Sequence, residues 1–332
     1  MNKADLVKNI LYGVAVGDAI GFPYQFKSRK QRRMHEVIDI CLSRDHEGNL
    51  FRQDDKFRGL WSDDSSLTLC LAESLASGYD LKDQAVKFVA WLEEGYLSAK
   101  DYAFDVGGRT CKALGFISSL LKSNPAPESS QLFMKTDIYA NGNGALMRIL
   151  PLVTYSHHKS IDEQYRIVQE ASSLTHPHPR SVLVCFFYLL YAQKLIDGVE
   201  KFAALEQTRE ELKEFMKTKV WDSEDTRELD RIFSFDFSRF TTDPDDRDRS
   251  DYLSSGGYVI HTLEAALWCL LTSSDYKETV LKAVNLGDDT DTTAAVGGGL
   301  AALLWGWESI PAEWIDALKK PEVFQRIVGL YE

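Results

Sequence analysis

The chain has no CxxC pair, no internal repeat, no long apolar run and almost no strand-like alternation, and each absence narrows what it can be. Its five cysteines (Cys41, Cys70, Cys111, Cys185, Cys269) are odd in number and widely spaced. That argues against a disulfide framework or a thiolate metal site, and for free thiols in a reducing compartment. The longest unbroken apolar run, Val182 to Ala192, is too short to cross a bilayer. No basic, apolar, small-residue leader opens the sequence, so a cytoplasmic protein without a membrane partner is expected. Basic charge is in deficit as well: 38 Lys and Arg stand against 50 Asp and Glu, a net charge of −12. A general nucleic-acid binder needs a basic surface to neutralise phosphates, so the charge argues against that class.

What remains is an ordinary globular composition, 44% hydrophobic and 27% charged over 332 residues, enough for a substantial core. Residues 4–16 place Leu6, Val7, Ile10, Leu11, Val14 and Ala15 on one helical stripe, which runs into Gly17-Asp18-Ala19-Ile20-Gly21. The two glycines there imply close backbone approach. The polar stretch 27–58 reads as a loop or a short hairpin around Glu47-Gly48-Asn49. Ser62 reads as the N-cap of a helix marked by Leu67, Cys70, Leu71 and Leu75. Further helical patterns fall at about 83–94, 110–122, 160–174, 181–195, 201–219, 258–272, 276–286 and 292–305. The expected fold is all-α, a single compact domain over 1–332, with 181–195 and the glycine-rich 294–307 at its centre. Between Asp222 and Asp251, eleven acids and five arginines give a net charge of −6, which suggests a charged insertion or lid at about 222–251. Within it, Thr242-Asp243-Pro244-Asp245-Asp246 is most simply a solvated loop.

The stretch with the most chemistry is Gly287-Asp288-Asp289-Thr290-Asp291-Thr292-Thr293, where six consecutive side chains from Asp288 offer only oxygen. Asp and Thr cap helix N-termini and complement the dipole, which is one reading. Three carboxylates in four residues exceed what a cap needs, however. Two such charges at ~4 Å repel by roughly 4 kcal/mol at an effective dielectric of about 20, so a buried cluster wants a cation. Oxygen ligands without Cys or His point to a hard ion, Mg²⁺ or Mn²⁺. A second oxygen cluster, Ser62-Asp63-Asp64-Ser65, opens another helix and is by itself an acidic cap. Together the two clusters would supply Ser62, Asp63, Asp64, Asp289, Asp291 and Thr292 to a pair of divalent ions.

Gly17-Asp18-Ala19-Ile20-Gly21, Ser62-Asp63-Asp64-Ser65, Asn143-Gly144-Ala145-Leu146-Met147-Arg148, Thr175-His176 and Gly287-Asp288-Asp289-Thr290-Asp291-Thr292 resemble, in order, the motifs of the ADP-ribosylglycohydrolase family. The likeness covers about residues 4 to 307. It implies an all-α fold with a dinuclear Mg²⁺ or Mn²⁺ centre, held by Ser62, Asp63, Asp64, Asp289, Asp291 and Thr292. Ser62 stands where many members carry Thr, and Asp288 where many carry Gly. Asp105, in Phe104-Asp105-Val106-Gly107-Gly108, matches the family's Asp beside the substrate ribose, where a carboxylate acts as acid or base or stabilises charge at C1. By the same resemblance Gly107, Asn141, Gly142, Asn143, Gly144 and His176 bind substrate. Their loop suits the diphosphate, because glycine backbone N–H groups can surround an anion. Arg148 could assist it, although an Arg on a helix is more often a surface ion pair, and His178 is given no role.

Gln25 departs from the pattern, since several members carry Glu there, proposed as a base or gate. An amide cannot take that proton, so either Asp105 or a metal-activated water does the work, or the protein binds without efficient turnover. The expected activity is metal-dependent release of ADP-ribose from a modified target, an ADP-ribosylated arginine on protein first. Serine, nucleic-acid or O-acetyl conjugates are alternatives, with nucleic acid entering only as a modified substrate. An ADP-ribose-binding protein lacking turnover is the competing class. An isoprenoid-synthase-like enzyme fits worse, because Asp288, Asp289 and Asp291 read DDxD rather than DDxxD.

Overall fold

A computed structural model of the chain describes residues 2–332 except 235, 239, 247 and 250. The first apolar stripe forms α1 (Lys3–Gly21), whose free N-terminus is capped by Asn2 accepting from the Asp5 backbone N–H at 2.8 Å. The helix does not stop at Gly17 but carries Asp18 and Gly21 with it. A 3₁₀ turn, Phe22–Tyr24, follows and ends at Gln25. The polar stretch then holds α2 (Arg29–Met34), closed by a Ser28–Gln31 capping box. After it comes a three-stranded antiparallel meander of β1 (His35–Asp39), β2 (Leu42–Asp45) and β3 (Leu50–Arg52). Its hairpin turns at Gly48, where φ is +90°, and Asp45 Oδ1 accepts from both Glu47 and Asn49 N–H.

Helices make up most of the rest. In order they are α3 (Asp63–Leu75), α4 (Leu81–Glu94), α5 (Gly108–Ser123), α6 (Val153–Ser156), α7 (Ile161–Ser173) and α8 (Pro179–Ile196). They continue as α9 (Lys201–Lys217), α10 (Ser223–Thr226), α11 (Asp230–Ser234), α12 (Val259–Leu271) and α13 (Tyr276–Asn285). The chain finishes with α14 (Thr290–Trp305), α15 (Ala312–Ala317) and α16 (Pro321–Gly329). Each expected helix is present within a few residues of its pattern. The two C-terminal helices are additional; α16 turns Phe324, Ile327 and Val328 inward.

The fold is mainly helical, and α8 and α14 lie at its centre: every residue of α14 from Thr290 to Leu303 is buried. Helix α1 lies along α14 so closely that a Cβ on Gly17 would stand 2.1 Å from the Ala294 carbonyl oxygen. One on Gly21 would meet Asp291 Cα at 2.5 Å. Glycine is thus required at both positions, and it draws Asp18 and the start of α14 together. Among the described residues of 222–251, Asp243 and Asp245 of the Asp-rich run have solvent-exposed side chains, as a solvated loop requires. Asp243 pairs with Arg33 at 3.3 Å and Asp245 with Lys30 at 3.6 Å, so the run lies on α2. No described helix is long and apolar enough to cross a membrane.

Candidate active site

Helices α3 and α14 point their N-termini into one cleft of about 290 Å³, with the α5 N-terminus and the Gly142–Gly144 loop on the facing wall. Asp63, Asp64, Asp105, Gly107, Gly142, Asn143, Gly144, His176, Asp289, Asp291 and Thr292 all line it. Two of the expected site residues stand behind the wall instead. Ser62 is fully buried, with its Oγ donating to Asp64 Oδ2 at 3.3 Å. Asn141 is buried and holds the loop from behind, donating to the Ile138 carbonyl and accepting from Ser181 Oγ at 2.9 Å.

Ser62 does occupy the N-cap position of α3, but its hydroxyl makes no capping bond. Asp18 supplies it. Its Oδ2 accepts from Ser62 N–H at 2.8 Å, Ser65 N–H at 3.1 Å and Ser65 Oγ at 2.5 Å. Those bonds only partly offset burial, which pushes the Asp18 carboxyl up to about 6. The sequence signal for this residue was an acid between two glycines on an otherwise apolar helix.

Around Asp18 the acids crowd. Burial raises the Asp63 carboxyl well above its ordinary range, and the Asp105, Asp18 and Asp289 charges add to it. Asp64 is raised by burial and then by Asp18 and Asp63, and Asp291 by burial and then by Asp289 and Asp64. Among the described residues, no Lys or Arg ion-pairs with Asp18, Asp63, Asp64, Asp105, Asp289 or Asp291. Oδ1 of Asp64 and Oδ1 of Asp18 are buried without a hydrogen-bond partner. Buried, like-charged and partly orphaned oxygens are costly unless they are protonated or paired with a cation. The carboxylates also contact one another, Asp105 and Asp289 each sharing a hydrogen bond with Asp291. Among the described residues, no three acidic, imidazole or thiol groups already stand in a metal-holding arrangement.

Asp105 and Asp288 both have φ of +58°, a left-handed conformation that Asp tolerates better than most residues and that recurs at functional sites. It turns the Asp105 carboxylate into the cleft, where Gln25 Nε2 donates to Oδ2 at 3.1 Å. Burial raises the Asp105 carboxyl, and the bonds from Gln25 and Asp291 oppose that. Asn143 turns its amide toward the acids, donating to Asp289 Oδ2 at 2.7 Å and to Thr262 Oγ1 at 2.9 Å. Its backbone N–H is engaged by the Gly257 carbonyl at 3.0 Å. Gly142 and Gly144 therefore provide the open backbone of this loop. A Cβ on Gly144 would come within 2.9 Å of His176 Cε1.

His176 is buried at the cleft floor, and its Nδ1 lies 2.8 Å from Thr175 Oγ1. The same hydroxyl accepts from Arg148 Nη2 at 2.9 Å. Arg148 is no surface ion pair; it is fully buried over the Phe88 ring and does not line the cleft. Arg148 can only donate, so a Thr175 hydroxyl that gives its own proton to His176 Nδ1 would leave the imidazole proton on Nε2. Burial, helped by the Arg148 and Arg109 charges, lowers the imidazole to about 3, so it is neutral. The wall also includes Gln25, Phe26, Arg109, Thr110, Met147 and Gly257. Of these, sequence reasoning had weighed only Gln25.

The family model described as ADP-ribosylglycohydrolase matches residues 1–332. The chain is 30% identical over 330 residues to the ADP-ribosylarginine hydrolase Tri1 of Serratia proteamaculans, covering 99% of this chain and 78% of that protein. It is 26% identical over 310 residues to the ADP-ribosyl-[dinitrogen reductase] glycohydrolase of Rhodospirillum rubrum, covering 92% and 87%. A solved structure described as an ADP-ribosylglycohydrolase-related protein complex superposes with a TM-score of 0.70 at 26% identity, over 99% of this chain and 98% of that one.

Proposed function

The chain belongs to the ADP-ribosylglycohydrolase family and is a glycohydrolase of ADP-ribose conjugates, and from that premise we propose that it removes ADP-ribose from arginine side chains of proteins in a reaction dependent on two Mg²⁺ or Mn²⁺ ions. The observation that carries the metal dependence is the set of buried carboxylates without cationic partners at the meeting of α1, α3 and α14. Asp63, Asp64, Asp289 and Asp291 would hold the ions, with the hydroxyls of Ser62 and Thr292. Such ions orient sugar hydroxyls and lower the pKa of water. The arginine preference rests on the likeness to the arginine hydrolase.

The chain's own residues divide the remaining work. Gly142 and Gly144 leave room for the diphosphate against the loop backbone, and the neutral His176 ring packs against both glycines. Asn143 orients Asp289. Asp105 also lines the cleft, its carboxyl raised by burial. As the bond from C1 to the guanidine nitrogen breaks, its electron pair goes to that nitrogen, Asp105 donates the proton, and a water adds its oxygen to C1 and returns a proton to Asp105. Gln25 holds Oδ2 during this transfer.

The test is release of free ADP-ribose from an ADP-ribosylated arginine protein, with Mg²⁺ or Mn²⁺ and with chelator. Release with either ion and none with chelator is expected. Absence of release from arginine, serine and nucleic-acid conjugates with both ions would overturn the catalytic reading. Gln25 in place of Glu favours a second reading, a binder with little turnover. Calorimetry with ADP-ribose beside the same assay separates the two.

A further inference from the structure

We propose that a second cleft, between α2, α12 and α13, is an anion site built for the phosphate group of a small molecule. It encloses about 310 Å³ and is lined by Arg29, Arg32 and Arg33 of α2, Trp268 of α12, and Lys282 and Asn285 of α13. Its charges are unequally matched. Arg33 has Asp243 at 3.3 Å and Lys282 has Glu278 at 2.9 Å, while Glu36 on the wall faces Arg44 at 3.6 Å. Arg29 and Arg32 are only 3% and 7% exposed, and among the described residues neither has a carboxylate at ion-pair distance.

Arg29 satisfies itself on neutral oxygens: the carbonyls of Leu286 at 2.8 Å and Leu253 at 2.6 Å, and Ser255 Oγ at 3.3 Å. Arg32 does not. Its guanidinium lies 4.9 Å from the Tyr24 ring centroid, Nε and Nη1 are shut away from solvent without an acceptor, and Nη2 is the nitrogen that remains accessible from the cleft. Withdrawing a guanidinium from water with no counter-ion is costly, and a charge so placed calls for an anion from the open side. Planar guanidinium forks match phosphate oxygens in pairs. Trp268 adds an apolar aromatic wall, which favours an organic phosphate over a bare ion.

The cleft backs onto the candidate active site. Arg29 Nε is bonded to Leu286 O, while Lys27 O accepts from Asp288 N–H and Phe26 N–H donates to Asp288 O, each at 2.7 Å. An anion drawn onto α2 thus bears on the loop between α13 and α14 that delivers Asp288 and Asp289. The inference stands apart from the glycohydrolase reading, because it needs neither metal nor turnover.

The experiment is calorimetric titration of the full chain, in chelator, with inorganic phosphate and with AMP, for wild type, Arg32→Gln and Arg33→Gln. Circular dichroism checks that both variants fold. Binding by wild type, weakened at least tenfold by Arg32→Gln and severalfold by Arg33→Gln, is the expected result. AMP binding more tightly than phosphate, with the difference lost in Trp268→Ala, identifies a ligand stacked on Trp268; equal affinities that fall in Arg32→Gln identify the phosphate group alone. Arg33→Gln, on the rim, keeps the test decisive should Arg32→Gln misfold. No millimolar binding of either probe, or binding unaltered in a folded variant, overturns the proposal.

Discussion

Gln25 donates its amide N–H to Oδ2 of Asp105 across 3.1 Å, joining the end of the first helical segment to the loop before α5. The residue that departs from the family's Glu therefore has work at the site: it holds the carboxyl group that would serve the leaving nitrogen. A Glu at 25 would set two carboxylates within hydrogen-bond distance, and such pairs share a proton with one pKa strongly raised. By removing the amide donor that holds Asp105, Gln25→Glu should lower turnover about tenfold at neutral pH. The raised pKa should move the alkaline limb of the rate profile, set by loss of the Asp105 proton, upward. Asp105→Asn, which removes the proton donor, should lose on the order of 10²–10⁴-fold. Turnover against pH at saturating Mn²⁺ checks both. A gain from Gln25→Glu would mean that the missing base limits the reaction, and a near-silent Asp105→Asn would place the catalytic carboxyl elsewhere.

The crowded acids make a prediction that activity alone would miss. Asp63 and Asp291 are buried beside like charges, so each destabilises the metal-free fold. Asp63→Asn and Asp291→Asn should raise the melting temperature measured in chelator, by about 1 kcal/mol or more of relieved repulsion. Both should abolish turnover and the thermal shift given by Mn²⁺. An ion at 100 times its dissociation constant stabilises by about 2.7 kcal/mol, so the lost shift is easily read. Variants that melt as before and still respond to Mn²⁺ would remove these residues from the ligand set.

How far the sequence could be read follows from which interactions are local. Helices α8 and α14 were visible because their residues are apolar or small nearly all round, a pattern that needs no partner to recognise. The end of α1 was not. Asp18 between two glycines looks like a helix running out, and only the contact of Gly17 and Gly21 with α14 explains why it continues. Ser62 marked the start of α3 correctly, yet the cap comes from Asp18, 44 residues away. The Gln25–Asp105 bond spans 80 residues and has no local trace. Arg148 was weighed by where such residues usually lie, and it is a buried clamp on Thr175. Asp243 and Asp245 have the solvent-exposed side chains their run suggests, and they face Arg33 and Lys30.

The α1–α14 contact supplies a stability prediction. A methyl group on Gly17 would overlap Ala294 O at 2.1 Å, and backbone cannot yield as a side chain tip does. Gly17→Ala should cost at least the ~1–3 kcal/mol typical of overpacked cores, read by urea denaturation. Gly115, an exposed glycine of α5 with nothing near its Cβ position, is the control. Gly115→Ala should stabilise by about 0.5–1 kcal/mol, since helix interiors prefer Ala. Equal and small effects at both positions would show that the two helices do not lie as closely as described.

The relay from Arg148 through Thr175 to His176 predicts both a tautomer and an acid sensitivity. Arg148 Nη2 donates to Thr175 Oγ1, and if the Thr175 hydroxyl turns its proton to His176 Nδ1, 2.8 Å away, the imidazole proton sits on Nε2. Nitrogen NMR of the wild type should show the Nε2–H form, and Thr175→Val should release that preference. Burial holds the folded imidazole at about 3, against an ordinary value of 6.5. Above pH 6.5 the ring is neutral in both states and contributes no pH dependence. Below that, the unfolded chain takes up a proton that the folded chain refuses, so stability falls as pH drops until the folded group also titrates. The slope is ~1.4 kcal/mol per pH unit, or about 2 kcal/mol lost by pH 5. His176→Gln removes this term, so the stability difference between wild type and variant should shift toward the variant by that amount between pH 6.5 and 5. Urea denaturation of the two proteins at both pH values measures it. A difference that stays constant over this range would show that His176 is not held neutral by burial, and that the Nε2 donor has been misplaced.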